Sequence, residues 1–303
     1  MLLGLLALSI GQLFGNTIVP IGTKITAALV EPLLLVFLRF LVSTALLFIV
    51  VLFSARKKIK ITEYKEFAFL GFLLSINVIF FTIGIPHTTV IMGTLIYSLT
   101  PVLVGVAGHF FLNESLDRRK ITGLVIAFIG LLFLLNQSLS QYHKNAFGEP
   151  LGNVLIFIAM LGYSYYVLQS RKVLHAKNHY PLQTTFLTFT FTTACCFIVL
   201  SAALLAGTIF LKPLPPEGIM GFLIVGVGSA AQYLFLQIGI KRTSAFTASL
   251  FQYVAPFIAA AAAIPLLHEQ VTGQLIIGGI LILIGVFIAT TYGEVKKRVR
   301  SLV

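Results

Sequence analysis

The sequence predicts an all-α integral membrane protein of ten transmembrane helices, arranged as two inverted five-helix repeats with both termini cytoplasmic. Composition, span count and an internal repeat carry that prediction. Of 303 residues, 58% are apolar and 10% charged, and the mean hydropathy is +1.02. A soluble domain is about 45–50% apolar and about 25% charged, and its polar surface could not cover such a surplus. The same figures exclude a disordered, collagenous or disulfide-stapled chain.

The apolar residues gather in ten stretches: 2–22, 32–53, 67–85, 90–111, 121–135, 151–167, 182–206, 219–240, 245–267 and 275–292. Each approaches the roughly 20 residues that a helix needs to cross a bilayer. They are too continuously apolar for the alternation of a barrel strand, so helices are expected. Residues 2–22 lack a basic leader and a small-residue cleavage site, so they are expected to remain as a span. There is no Trp, so Tyr and Phe are expected at the headgroup level. Cys195 and Cys196 are neighbours in one stretch and point about 100° apart on a helix, which predicts neither a disulfide nor a metal site.

Lysine and arginine set the orientation, because cytoplasmic connections carry the excess of both. With the N-terminus inside, the inner connections hold Arg56, Lys57, Lys58, Lys60 and Lys65, then Arg118, Arg119 and Lys120. Arg171, Lys172 and Lys177 follow, then Lys241 and Arg242, and the tail adds Lys296, Lys297, Arg298 and Arg300. Lys24, Lys144 and Lys212 fall outside, and Arg39 lies within a span. The net charge of +12 therefore reads as orientation, with attraction to anionic lipid. Nucleic-acid binding would need a continuous basic patch, and none is expected.

The second half repeats the first. Moving residues 71–130 forward by 155 lays them without a gap on residues 226–285. Ile83-Gly84-Ile85 meets Ile238-Gly239-Ile240, Pro101 meets Pro256, Glu114 meets Glu269, and Gly123 and Gly130 meet Gly278 and Gly285. A shift of 149 aligns Pro32, Phe37, Phe40, Thr44 and Phe48 with Pro181, Phe186, Phe189, Thr193 and Phe197. At a shift of 148, Gly4 and Lys24 recur as Gly152 and Lys172. Five spans per repeat is an odd number, so the two copies enter the membrane from opposite sides. Inverted repeats of this kind characterise secondary transporters. The expected organisation is a first repeat at 1–137, a connecting loop at 138–149, a second repeat at 150–292 and a basic cytoplasmic tail at 293–303.

Two copies of a Pro-centred span, a Glu and a Gly-rich span stand as Leu99-Thr100-Pro101, Phe111-Leu112-Asn113-Glu114, Gly123 and Gly130, and as Val254-Ala255-Pro256, Leu266-Leu267-His268-Glu269, Gly278 and Gly285. They resemble the EamA-type branch of the drug/metabolite transporter superfamily, over nearly the whole chain. The resemblance implies a multi-pass protein of the cell (plasma or inner) membrane that moves a small molecule and is not an enzyme. It also implies a central cavity between the first, third, fourth, sixth, eighth and ninth helices. No cofactor is expected. The expected partners are a small-molecule substrate and the lipid bilayer, with a homo-oligomer left open.

Several residues are candidates for that cavity. Asn16, Asn77, Tyr97, Ser98, Tyr163, Ser164, Gln232, Tyr233, Gln252 and Tyr253 are polar or aromatic groups at mid-span. Buried amides and hydroxyls need partners, which either a neighbouring helix or a wet cavity supplies. Arg39 lies on the order of 10 Å inside its span, at 1.5 Å per residue. It reads either as a transport residue that attracts a carboxylate or phosphate, or as a side chain that snorkels outward toward Glu31 or pairs with a polar neighbour. The second reading is favoured, because its repeat counterpart is Thr188 and symmetry does not require the charge. Pro101 and Pro256 are expected to kink their spans as hinges or as static bends. Glu114 and Glu269 each precede a helix and are expected to act as structural caps. His109 reads as packing or surface in preference to proton coupling.

Every acid lies at a span end or in a connection, and the first helix offers only Gln12 and Asn16 where related small multidrug exporters carry a carboxylate. No phosphate-binding loop, zinc motif or nucleophile elbow occurs. The function expected is therefore a secondary active or facilitative carrier that exports a small polar or zwitterionic metabolite, an amino acid or similar. The alternatives are an exporter of cationic drugs and a non-transporting scaffold.

Overall fold

The computed structural model describes residues 1–19, 23, 26, 29–54, 60–88, 90–141, 149–176, 178–210, 215–255 and 273–290. Regular structure among them is helical throughout: α1 (Leu2–Leu13) with a π turn at Phe14–Ile18, α2 (Pro32–Leu52), α3 (Tyr64–Gly84), α4 (Val90–Tyr97), α5 (Thr100–Leu112) and α6 (Arg118–Gln141), then α7 (Pro150–Ala176), α8 (Pro181–Leu205), α9 (Pro216–Arg242), α10 (Ala245–Leu250) and α11 (Gly273–Thr290). Among the described residues, six helical stretches are long and apolar enough to cross a membrane, and Leu2–Leu13 and Ile276–Thr290 are shorter apolar helices. The predicted segment 245–267 is described only to residue 255.

Local chemistry sets the helix ends. Glu31 accepts a hydrogen bond from the Leu34 N–H at 2.9 Å, and Pro32 takes the first position of α2, where a missing donor costs nothing. Pro181 and Pro216 open α8 and α9 in the same way. Asn113 ends α5 at φ 53°, a left-handed conformation that Asn adopts more readily than most residues. Large apolar side chains such as Phe48, Phe53, Phe110, Phe111 and Leu205 are exposed on the outside, as suits lipid.

The packing is ordered by exchange of the two halves. α1 packs on α9 and α7 on α3, while α3 packs on α8 and α9 on α2. α2 packs on α8, and α6 packs on α11. These last two pairs run antiparallel. Phe37 meets Phe197 at 5.6 Å between centroids, and Phe48 meets Phe186 at 5.8 Å. Phe186 and Phe197 are the repeat counterparts of Phe37 and Phe48, so each ring contact is the other with the halves exchanged.

The small residues follow the same rule. A Cβ on Gly130 would come within 2.7 Å of the Gly278 carbonyl oxygen, and one on Gly123 within 2.7 Å of the Ala289 Cβ. Only glycine lets these two backbones approach so closely. A Cβ on Gly71 would meet the Phe191 side chain and the Thr188 carbonyl, and one on Gly226 would meet the Val42 side chain and the Arg39 carbonyl. All three residues of the second contact are the repeat counterparts of the first. The hydroxyls above these glycines match too. Ser43 donates a hydrogen bond to Gly226 O at 2.7 Å, and Thr192 donates to Gly71 O at 3.2 Å.

Candidate functional site

The span predicted at 90–111 is two helices. α4 ends at Tyr97, residues 98–99 form a turn, and α5 begins at Thr100. Pro101 sits in the first turn of α5, directly after this interruption of the predicted span. The helix is interrupted one turn before the proline because Pro101 has no N–H to give the Tyr97 carbonyl and its ring crowds that carbonyl. The exposed backbone is satisfied from the other half, since the Tyr253 hydroxyl donates to the Ser98 carbonyl at 2.8 Å. The Ser98 hydroxyl donates to Leu95 O, and Ser164 to Met160 O, so both hydroxyls bond within their own segments.

Around that turn the bundle interior is aromatic. Tyr97, Tyr163, Tyr166, Tyr233, Phe189 and Phe40 form a chain of rings with successive centroids 6.3, 6.4, 6.0, 5.4 and 4.9 Å apart. The rings come from α4, α7, α9, α8 and α2, so they hold five helices together. Asn77 on α3 donates from Nδ2 to the Tyr97 hydroxyl at 2.5 Å and to the Ala159 carbonyl at 3.0 Å. Gln237 donates to the Tyr166 hydroxyl at 2.7 Å and to Ser170 Oγ at 2.9 Å. Gln252 approaches the Tyr163 hydroxyl. Gln232 lies against Gly15, and its buried Oε1 has no hydrogen-bond partner.

Most of the expected lining set thus converges on one region. Tyr97, Ser98, Tyr163, Tyr233, Gln252 and Tyr253 surround it, with Asn77 behind Tyr97. The Asn16 side chain, Pro256 and Glu269 lie outside the described residues. Tyr166, Ser170, Ser229 and Gln237 were not among the candidates. Their signal was present in spacing: Tyr166 follows Tyr163 by three residues and Gln237 follows Tyr233 by four, which places each pair on one helix face.

Arg39 does not snorkel to Glu31, whose carboxylate is engaged at the start of α2. Its Nε instead donates to Ser229 Oγ on α9 at 2.5 Å. The guanidinium carbon lies 5.4 Å from the Phe40 ring centroid. It is within electrostatic reach of the Tyr233 hydroxyl and the Cys196 thiol.

Glu114 caps a helix, but not the one that follows it. Its Oε1 accepts from the Ala245 N–H at 3.0 Å and its Oε2 from the Phe246 N–H at 3.3 Å, at the start of α10 in the second half. Arg171 Nε lies 3.3 Å from Oε1, and Arg171 Nη1 donates to the Ile240 and Lys241 carbonyls at 2.8 and 3.2 Å. The start of α6 is served by Asp117, which accepts from the Lys120 N–H at 3.0 Å. At the other end of α3, His87 Nδ1 lies 3.1 Å from Glu149 Oε2, and Thr88 donates to Asn153 Oδ1 at 2.5 Å. His109 is exposed, with Nδ1 donating to the Glu114 carbonyl at 3.1 Å. No metal-binding group of three or more His, Cys, Asp or Glu occurs among the described residues, and both cysteines are free thiols.

Fold and site together define a multi-pass membrane protein whose two halves share one packing scheme around an aromatic, amide-lined centre. The EamA-like transporter family matches residues 2–136 and again 150–291. The chain belongs to that family and is an integral protein of the cell membrane. Similar proteins are named as transporters, not enzymes. The uncharacterized transporter YyaM of Bacillus subtilis is 26% identical over 270 residues, covering 86% of this chain and 84% of that protein. A "Probable amino-acid metabolite efflux pump" of Salmonella typhimurium is 25% identical over 311 residues, covering 98% of this chain and 97% of that one. A solved crystal structure aligns with a TM-score of 0.71 at 19% identity, over 95% of this chain and 96% of the other, which shows a shared fold.

Proposed function

We propose that this transporter is a secondary carrier that exports a small polar or zwitterionic metabolite, an amino acid or similar, by alternating access. The observation that carries the reading is the exchange of contacts between the halves. If Gly71–Thr188 and Gly226–Arg39 are one contact built twice, the bundle has two equivalent ways to lean, and they open opposite sides. In this reading the chain crosses the bilayer ten times, with repeats at 1–137 and 150–292, a connecting loop at 138–149, and both termini and the 293–303 tail in the cytoplasm.

The unwound turn at residues 98–99 and Pro101, with Pro256 as its counterpart, serve as hinges. Glu114 and Glu269 are structural clasps at the two ends. The substrate sits among Asn16, Arg39, Asn77, Tyr97, Ser98, Tyr163, Ser164, Gln232, Tyr233, Gln252 and Tyr253. The name of the Salmonella relative supports the substrate class and the outward direction. Proteoliposomes loaded with labelled amino acids test it. Efflux faster than from protein-free vesicles is expected for at least one of them. Efflux equal to protein-free vesicles across a broad panel overturns the amino-acid reading.

A further inference from the structure

Arg39 and Ser229 depart together from the repeat. The backbone at Arg39 packs on Gly226 as the backbone at Thr188 packs on Gly71, and Ser43 and Thr192 make matching hydrogen bonds beside them. Thr188 builds that contact without a charge, so the guanidinium is not needed for the helix packing. The counterpart of Ser229 is Leu74, fully buried and unable to accept a hydrogen bond. One of the two equivalent interfaces thus carries a cation from the first half and, from the second, the hydroxyl that holds it, where the other interface has the neutral pair Thr188 and Leu74.

The hydroxyl fixes one side of the guanidinium only. Ser229 takes the Nε hydrogen and passes its own to the Val225 carbonyl, so it is oriented as an acceptor. The Nη hydrogens have no acceptor among the described residues. Among the described residues, Glu114 meets Arg171, Glu63 meets His179 and Glu149 meets His87, and none of these pairs includes Arg39. A cation within an apolar span is costly to leave without a counter-charge. The Nη edge of guanidinium is a planar fork whose spacing matches the two oxygens of a carboxylate. One positive charge balances one carboxylate. A phosphate monoester, at about −1.5 to −2 near neutral pH, would leave net negative charge in the interior.

We propose that the Arg39 guanidinium, positioned by Ser229, binds the carboxylate of the transported solute, which makes a carboxylate a required feature of the substrate. This rests on the carrier reading above. The ammonium of a zwitterion needs no buried acid there, because an aromatic face can receive a cation and the interior is rich in tyrosine rings.

The test uses the full chain as wild type, Arg39→Gln, Arg39→Lys, Ser229→Ala and Thr188→Val. Thermal unfolding in detergent is measured with amino acids, their amides, the corresponding amines and phosphoethanolamine, and transport is measured in proteoliposomes. Amino acids are expected to raise the wild-type Tm and compete for transport, whereas amides, amines and phosphoethanolamine do neither. Arg39→Gln, eluting as a monodisperse folded species, should lose the Tm shift and raise KM roughly tenfold or more. Arg39→Lys should retain part of the shift, Ser229→Ala should fall between it and wild type, and Thr188→Val should leave KM unchanged. An amide or phosphoethanolamine acting as well as the acid, or a folded Arg39→Gln with unchanged KM and Tm shift, overturns the assignment. An Arg39-dependent Tm shift without flux upholds the assignment and overturns the carrier reading. Neither shift nor flux with any amino acid overturns both.

Discussion

The Tyr253 hydroxyl donates a 2.8 Å hydrogen bond to the backbone carbonyl of Ser98, the residue that holds the same position in the other half of the chain. Phe40 and Phe189 meet at 4.9 Å between centroids, and Thr44 and Thr193 at 3.0 Å, and each of these pairs is also made of repeat counterparts. Contacts between equivalent residues can form only along an axis that relates the halves. The axis therefore runs through the centre of the bundle, beside the unwound turn.

Tyr253→Phe should destabilise the protein by about 1–3 kcal/mol, because it leaves a buried carbonyl without its donor. The loss is read as a fall in Tm in detergent. Tyr97→Phe, which removes a hydroxyl that accepts from Asn77, should cost less, since the Asn77 amide keeps the Ala159 carbonyl as acceptor.

The glycine seam between α6 and α11 should respond to added methyl groups in a paired way. Gly123→Ala or Gly285→Ala each forces the backbones apart, at about 1–3 kcal/mol. Because Gly123 faces Gly285 and Gly130 faces Gly278, the double variant 123/285 should be non-additive. The double variant 130/285 lies on separate crossings and should be additive within about 0.5 kcal/mol. Thermal unfolding of the three single and two double variants checks both.

Glu114 has two roles that substitutions separate. Its side chain is 12% exposed and that of Arg171 is 16% exposed, so the pair is only partly screened by solvent. Glu114→Gln keeps an oxygen for the start of α10 and loses the charge. Glu114→Ala loses both, and should be the worse of the two by about 1 kcal/mol. Equal losses of Tm would mean that the cap contributes nothing.

Gln237 ties α9 to α7 through Tyr166 and Ser170, and is itself fully buried. Gln237→Ala strands two hydroxyls and should cost about 2–4 kcal/mol, counting the lost packing. Tyr166→Phe should cost about 1 kcal/mol, and the two changes together less than their sum. A double-mutant cycle on Tm measures the coupling.

How much of this was legible in the sequence depended on the range of the interaction. Helix starts at Pro32, Pro181 and Pro216 follow from residues within one turn, and the apolar stretches follow from composition alone. The repeat offset names the residues that hold equivalent positions in the two halves, but not what they touch. Partners across the bundle were not legible. Glu114 was expected to serve the helix after it, because nothing in the local sequence says that α10 begins beside it. Arg39 was expected to reach toward Glu31, eight residues away, or to pair with a polar neighbour, and nothing local says that the neighbour is Ser229, 190 residues away. Gln237 and Tyr166 were passed over because each is ordinary until the two helices that carry them are side by side. The break before Pro101 shows the same limit. The proline was visible, but a helix that stops and restarts needs a donor from elsewhere, and Tyr253 supplies it.

The account stands on the halves being inverted copies, and side-specific labelling tests that most directly. His87 and Arg242 are separated by the repeat offset and both are exposed in the structure. In a background with Cys195 and Cys196 changed to Ser, His87→Cys and Arg242→Cys would be treated with a membrane-impermeant maleimide in right-side-out and inside-out vesicles. The account predicts that Cys at 87 is labelled from outside and Cys at 242 from inside. Labelling of both positions from the same side would contradict it.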